Sequence, residues 1–502
     1  MNEPKPTRVV VAGGGTAGWI AAMALARQLG RLVEVTLIES DEIGTVGVGE
    51  STIPTARSFH ELLRIDEQAF MRATQSSFKL GISFENWARQ GDHYFHSFGT
   101  VGVKTWAADF QHFWLQARAE GVAGDLGDYC LELQAGKARR FALGGEPALN
   151  YAYHLDAGAY AKFLRRIAET DGARRREGRI TRVEQDGESG DITALVLESG
   201  ERIEGDLFID CTGFRGLLIE QTLKAGYDDW SHWLITNAAW AVQTRAVADA
   251  LPYTRVIAHD AGWQWRIALQ NRVGNGSVFC TDFKEPEAAR DDLLASIEGE
   301  TLIEPRLIRY KTGKRRTMWS HNCIAMGLSA GFVEPLESTS IHLIMIAVTR
   351  LIQQFPFGGA SAAQRERFNR MANLEVERVR DFIILHYKLT ERDDSAFWRH
   401  CRDMAVPDTL QERIECFAEA AQAWQGPEDL FRVDSWMQVM LGQRITPRHW
   451  HRLAALLPTP QLRTTLETLK ARIDERVAQM PSHQAFLDSY CAPEPAPAPV
   501  PA

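Results

Sequence analysis

Apolar positions along this chain follow three rhythms. The first is a short β-rich run, residues 8–14 (RVVVAGG), closed by glycines, which predicts a buried strand. Residues 17–29 (AGWIAAMALARQL) predict a helix and residues 33–39 (VEVTLIE) a second strand, so the chain opens as a βαβ unit. Later strands are expected at 206–213 (DLFIDCTG) and 322–327 (NCIAMG), the latter followed by a helix from about Ser338. The second rhythm fills about 230–285, which is rich in strand formers and Trp. The third is helical and runs from about 361 to 490. Residues 491–502 (CAPEPAPAPVPA) are Pro- and Ala-rich and predict an extended or disordered tail. No internal repeat is visible.

Composition narrows the class. With 502 residues there is material for about three domain-sized units and a large core. The net charge of −9 excludes nucleic acid as the main partner, because phosphate binding needs a positive field. Seven Cys, an odd number with no C-x-x-C, indicate neither a disulfide framework nor a thiolate metal site. No metal is expected, and a reducing compartment is. The polar start is unlike a secretory signal, and the apolar stretch Ile341 to Ile352 is too short and too interrupted to span a bilayer. A cytoplasmic protein without membrane partners is the expectation. The basic clusters at 138–140, 174–176 and 314–316 read as solvated faces.

A nucleotide site is legible at Gly13-x-Gly15-x-x-Gly18, between the first strand and helix. The first glycine permits a tight turn, the second a close approach of backbone to pyrophosphate, and the third close helix–strand packing. Thr16 and Ala17 open the helix, whose N-terminus offers N–H donors to phosphate. Glu39 ends the next strand, 21 residues after Gly18, where a carboxylate can accept from the adenosine ribose. The motif does not separate NAD from FAD. Its place near the start of a long chain favours FAD. So does the 206–213 segment, which resembles a secondary FAD-contact strand of the glutathione-reductase-like flavoproteins.

Three further segments carry chemistry. Gly47-Val48-Gly49-Glu50-Ser51-Thr52-Ile53-Pro54 allows close backbone approach and caps a helix that Pro54 helps to start. Lys79 sits among apolar neighbours, where desolvation would lower its pKa and free it as a nucleophile or tight donor. Glu334-Pro335-Leu336-Glu337-Ser338-Thr339 joins a strand to a helix, where backbone N–H groups can hold a small anion. With GGGTAGW at 13–19, these segments resemble the flavin-dependent halogenases of the tryptophan-halogenase type, from Arg8 to about Gly442. The family's Trp-x-Trp-x-Ile-Pro motif appears as Trp263-Gln264-Trp265-Arg266-Ile267-Ala268, with Ala in place of Pro.

The resemblance implies an α/β (α+β mixed) fold: a glutathione-reductase-like FAD-binding Rossmann core, with a mostly helical C-terminal part covering the substrate. The expected division is a discontinuous FAD-binding core with an inserted substrate-side sheet over 1–360, the helical part over 361–490, and the tail. It implies that Gly13, Gly15, Thr16, Ala17, Gly18, Glu39, Gly49, Glu50 and Ser51 bind FAD. Reduced FAD from a separate reductase, oxygen and chloride or bromide would yield hypohalous acid, with the halide beside Ser338 and Thr339. Trp263 and Trp265 would screen the flavin, Lys79 would capture or orient the oxidant, and Glu337 would fix it and take the arenium proton. A homodimer is implied as well.

His96 and Phe98 match the family's ring-sandwiching His and Phe. The tryptophan-specific members also clamp the amino acid with a Tyr-Tyr pair, a Glu and Phe-Trp. The matching segment here, residues 416–442, has no Tyr-Tyr and no clear Glu, and Leu430-Phe431 stands where Phe-Trp would. Indole or a simple indole is therefore the expected substrate rather than free tryptophan, with bromide, the easier halide to oxidise, preferred. A flavin monooxygenase hydroxylating an aromatic is the competing enzyme reading. A redox- or flavin-sensing protein is the non-enzymatic one.

Overall fold

A computed structural model describes residues 5–42 and 50–492. The Gly47, Val48 and Gly49 positions, and the tail from residue 493, lie outside the described residues. The architecture is mixed α/β, built on two large sheets.

The strand Thr7–Ala12 lies inside a six-stranded sheet, paired parallel with Val33–Glu39 on one side and Leu207–Asp210 on the other. Cys323–Ala325 extends the sheet beyond Leu207–Asp210, and Arg174–Glu177 extends it beyond Val33–Glu39. A strand buried on both faces needs no polar alternation, and RVVVA has none. Val9 and Val11 face one apolar cluster, Val10 and Ala12 another. The helix Thr16–Leu29 covers the first face, buried continuously from Trp19 to Ala26 because it packs against both Ala157–Thr170 and Ser340–Gln353. The hairpin strands Ile180–Gln185 and Ile192–Leu197 cover the second.

The Trp-rich middle forms most of a seven-stranded sheet, in the order Arg306–Arg309, Ala238–Arg245, Arg272–Phe279, Gly262–Ala268, Thr254–Ala258, Gly81–Glu85 and His93–Ser97. Helices Ala362–Lys388, Ala396–Asp403 and Val433–Gly442 share a core with it. No helix of the described residues is long and apolar enough to cross a membrane, and all seven cysteines are free.

A third, very small sheet connects these parts. Ala152–Leu155 is its middle strand, with Glu50–Ser51 on one edge and Ser77–Lys79 on the other, so that Ser51 and Ser77 both pair with His154. His154 Nε2 lies 2.9 Å from Thr254 Oγ1, and Ser77 Oγ donates to the Ala268 carbonyl at 2.6 Å. Ala268, where the family motif has Pro, continues the strand in register with Val273.

One expectation is corrected. The basic cluster 314–316 is not a solvated face. Lys314 and Arg315 are buried, because Gly313–Arg315 is the middle strand of a three-stranded sheet. Their charges are met by Asp228 at 3.1 Å and Glu220 at 2.8 Å.

Candidate active site

The nucleotide motif is a turn that only glycine can make. Gly13 has φ +108°, and a Cβ there would lie 2.3 Å from the Cys211 carbonyl oxygen. A Cβ on Gly18 would lie 1.8 Å from the Gly13 carbonyl oxygen. Gly15 differs: a Cβ on it would meet nothing within 4 Å. As N-cap of Thr16–Leu29 it offers no side chain to the helix, so the first-turn N–H groups stay open to a ligand. Glu39 folds over Gly14, with Oε1 2.5 Å from Arg175 Nε and Oε2 accepting from Trp19 Nε1 at 3.2 Å. The 206–213 segment orders its own loop: Asp210 is fully buried and accepts from the Thr212, Leu218 and Ile219 N–H groups.

These elements open on a cavity of about 520 Å³. Glu39 and Ser40 line it, as do Gly13 to Ala17, Glu50, Ser51, Trp263, Trp265 and Ser338. An elongated dinucleotide fits this arrangement, with a carboxylate at one end, an uncapped helix start facing open space, and an aromatic wall. Trp263 and Trp265 stand on the same face of Gly262–Ala268, ring centroids 6.1 Å apart. Burial and the neighbouring Asp156 push the Glu50 carboxyl up to about 7.

Against the cavity stands a buried polar knot. Lys79 is fully buried. Its Nζ donates to Ser338 Oγ at 2.8 Å, Ser51 Oγ at 3.1 Å and the Thr52 carbonyl at 3.3 Å. The two serine hydroxyls are 2.6 Å apart. Burial pushes the Lys79 amine down to about 7, against the pull of Glu337 in the other direction. Ser338 has φ +61°, an uncommon backbone for a residue with a Cβ, which reverses the chain between the turn Pro335–Glu337 and the helix Ser340–Gln353. Thr339 is the N-cap of that helix. Its hydroxyl is buried without a partner among the described residues, a donor turned toward nothing the protein supplies.

Glu337 is fully buried beside this knot. His96 Nδ1 is 2.8 Å from Oε2, and His386 Nε2 is 2.8 Å from Oε1. Burial alone would raise this carboxyl; the two histidines outweigh it and hold Glu337 at about 2. The Phe98 ring lies 5.2 Å from Lys79 Nζ and packs with Ile53, Ala152 and Leu430. Phe431 stacks on Phe382 with centroids 3.7 Å apart, and His96 lies 6.2 Å from Phe431. Lys79, Glu337, Ser51, Ser338, His96 and Phe98, scattered through the sequence, thus come together, while Phe431 joins the wall one layer out. His386 was not visible in the sequence. It sits in an ordinary helical stretch 49 residues after Glu337, and only the path of Ala362–Lys388 brings it there. Among the described residues no cluster of His, Cys, Asp or Glu could hold a metal ion.

The profile of the tryptophan halogenase family matches residues 8–459. The chain belongs to that family. Tryptophan 6-halogenase SttH of Streptomyces toxytricini is 36% identical over 446 residues, 83% of this chain and 84% of its own length. Xcc4156, a flavin-dependent halogenase from Xanthomonas campestris, superposes with a TM-score of 0.96 at 52% identity, over 98% of this chain and 100% of its own. BrvH, a flavin-dependent halogenase from Brevundimonas sp. BAL3, does so with a TM-score of 0.93 at 40% identity, over 97% and 100%. This halogenase uses reduced FAD supplied by a separate reductase, with oxygen and halide. The hydroxylase and sensor readings therefore fall away. When bound, reduced FAD would supply the two electrons that let oxygen oxidise halide, and the residues lining the cavity would hold it.

Proposed function

We propose that this halogenase modifies an electron-rich aromatic, indole or a simple indole without a held amino-acid group, and that bromide is its preferred halide. The observation that carries the substrate reading is the state of the buried carboxylate in 416–442, Asp429. Asp429 is buried but already paired with Arg413 and with the Gly426 N–H at 2.7 Å. Asp434 accepts from the Val101 N–H at 2.9 Å. The Asp429 carboxylate is thus already taken up within the protein, and the segment has no Tyr-Tyr pair. A zwitterion brought into such a site would lose hydration without gaining partners. SttH is named for tryptophan, which makes that amino acid the proper competitor in the test.

In this reading Lys79 and Glu337 are the catalytic pair. Lys79, desolvated and part neutral near pH 7, captures or orients hypohalous acid. Glu337, kept ionised by its histidines, takes the proton from the halogenated ring. Ser338 and Thr339 hold the halide, Phe98 and His96 face the substrate ring, and Trp263 with Trp265 keeps organic molecules from the flavin. Seven free cysteines support a reducing, cytoplasmic setting.

The deciding experiment supplies FAD, a flavin reductase, NADH and oxygen, with indole or tryptophan and bromide or chloride. Mass spectrometry reads the halogen isotope doublet, with Lys79→Ala as control. Indole with bromide should give the strongest doublet, lost in the control. Tryptophan turned over far better than indole would overturn the substrate reading, and a larger chloride product would overturn the halide preference.

A further inference from the structure

Behind Trp263 lies a carboxyl that the chemistry above does not use. Glu334 is fully buried, one residue before the turn Pro335–Glu337. Its Oε2 accepts from Tyr387 Oη and, at 3.2 Å, from Trp263 Nε1. Trp263 Nε1 also donates to Tyr387 Oη at 2.8 Å, so acid, phenol and indole close a triangle. On another side Thr236 Oγ1 lies 2.9 Å from Tyr310 Oη, and Tyr310 lines the same cavity as Trp263. Oε1 of Glu334 has no hydrogen-bond partner among the described residues.

An acid in the core without a cation is costly unless it serves its neighbours. The titratable groups that face Glu334 are Tyr310 and Cys280, each just past the end of a strand, and Tyr387 and Cys401, on two helices, and none is a cation. Burial pushes its carboxyl up, with the Tyr387 and Trp263 donors opposing. One carboxyl oxygen accepts both donors and closes the triangle. A large indole has one polar atom by which its plane can be fixed, and here that atom is tied off at the back of the cavity wall.

We propose that Glu334 is a positioning residue: with Tyr387 it clamps the Trp263 indole N–H and so sets the orientation of that ring in the wall of the flavin cavity. The inference rests on reading that cavity as the flavin site and Trp263 as part of its wall. Glu334 itself touches neither flavin nor substrate in this account. Its effect passes through one ring, which distinguishes it from the Lys79–Glu337 pair.

The test uses the full chain labelled with 5-fluorotryptophan. Fourteen Trp are present, so Trp263→Phe assigns the Trp263 resonance by its loss. Fluorine spectra without cofactor are compared for the wild type, Glu334→Gln, Glu334→Ala and Tyr387→Phe. Glutamine keeps a carbonyl acceptor of the same reach, so its Trp263 line should stay at the wild-type position. Alanine should shift or broaden that line alone. The loss of one hydrogen bond should raise the population of other ring orientations about fivefold. Tyr387→Phe, which removes only the phenol oxygen, should shift it less and guards against a Glu334→Ala variant that does not fold. In the loaded enzyme, hydrogen peroxide released per NADH consumed should rise in Glu334→Ala and not in Glu334→Gln. A Trp263 line unmoved in both Glu334→Ala and Tyr387→Phe would overturn the clamp. A line moved equally by Glu334→Gln and Glu334→Ala would overturn the role of this side chain's oxygen as the acceptor that holds the ring. A moved line with unchanged peroxide release would keep the clamp and overturn the reading of Trp263 as flavin wall.

Discussion

Lys79 shows how one residue acquires its chemistry from placement. The apolar neighbours in Ser77-Phe78-Lys79-Leu80 mark the amine for desolvation, and the pairing of the strand Ser77–Lys79 with Ala152–Leu155 buries it. Burial then lowers the amine from 10.5 to about 7. The charged form is the disfavoured one, so the unfolded chain binds the proton more tightly. Burying Lys79 therefore carries a stability penalty that is full below about pH 7, is relieved as pH rises from about 7 to 10.5, and is absent above that window. The neutral amine is the form that can bond to an electrophilic halogen. Single-turnover halogenation with preformed reduced FAD should rise with pH through a midpoint near 7. A rate that falls through the same midpoint would assign the work to the ammonium as a hydrogen-bond donor. Lys79→Ala should cost about 100-fold or more at every pH, with FAD affinity kept. At this scale the sequence was readable where a motif fixed the spacing: Lys79, Ser51, Glu337 and Ser338 each stand in one. His386 and Tyr387 stand in no motif, and Glu334, although it opens the motif of Glu337, showed no role of its own there, because these roles are contacts that depend on where the helix Ala362–Lys388 crosses the sheet.

Among the elements, the turn into the first helix separates folding from binding within six residues. Gly18 is required by the protein itself, since a Cβ there meets the Gly13 carbonyl at 1.8 Å; Gly15 faces open space. Gly18→Ala should therefore lower both Tm and FAD affinity. Gly15→Ala should leave Tm of the cofactor-free protein within a degree or two of wild type, a stability change of about 0.5 kcal/mol or less. It should still weaken FAD binding by about tenfold or more, because the space it fills is where backbone approaches pyrophosphate. Thermal melts and FAD titrations of the two variants check this; equal losses of Tm would contradict it. The βαβ opening was legible because its strands carry apolar runs and its helix an apolar sweep from Trp19 to Ala26. The strand Glu50–Ser51 was not, although it holds the serine on Lys79. Two residues carry no periodicity, and only the pairing of Ser51 with His154 makes them a strand.

Over the whole molecule the helical region 361–490 looks separable in sequence, yet it is divided between the two large apolar cores. Phe368, Ala372, Ile473, Val477 and Leu487 belong with the nucleotide-binding side, against Trp19 and Met345; Val379, Phe382, Phe417 and Leu466 belong with the Trp263 sheet. Charge follows the same long-range logic. Lys314 reaches Asp228 and Glu377, and Arg315 reaches Glu220, which is why two residues of a basic triplet that looks solvated are buried while Arg316 stays exposed. A chain cut after residue 360 would keep the glycine turn but lose part of both cores and the histidine that holds Glu337. Each large apolar side chain stripped from a core costs about 2–5 kcal/mol, so losing several exceeds the net stability of a typical protein, about 5–15 kcal/mol. The fragment 1–360 should accordingly show no cooperative melt and no FAD binding. A fragment that melted cooperatively and bound FAD would mean that the nucleotide side folds without these helices. Catalysis would then depend on them only through His386 and the substrate wall, and supplying residues 361–492 as a separate chain should restore halogenation.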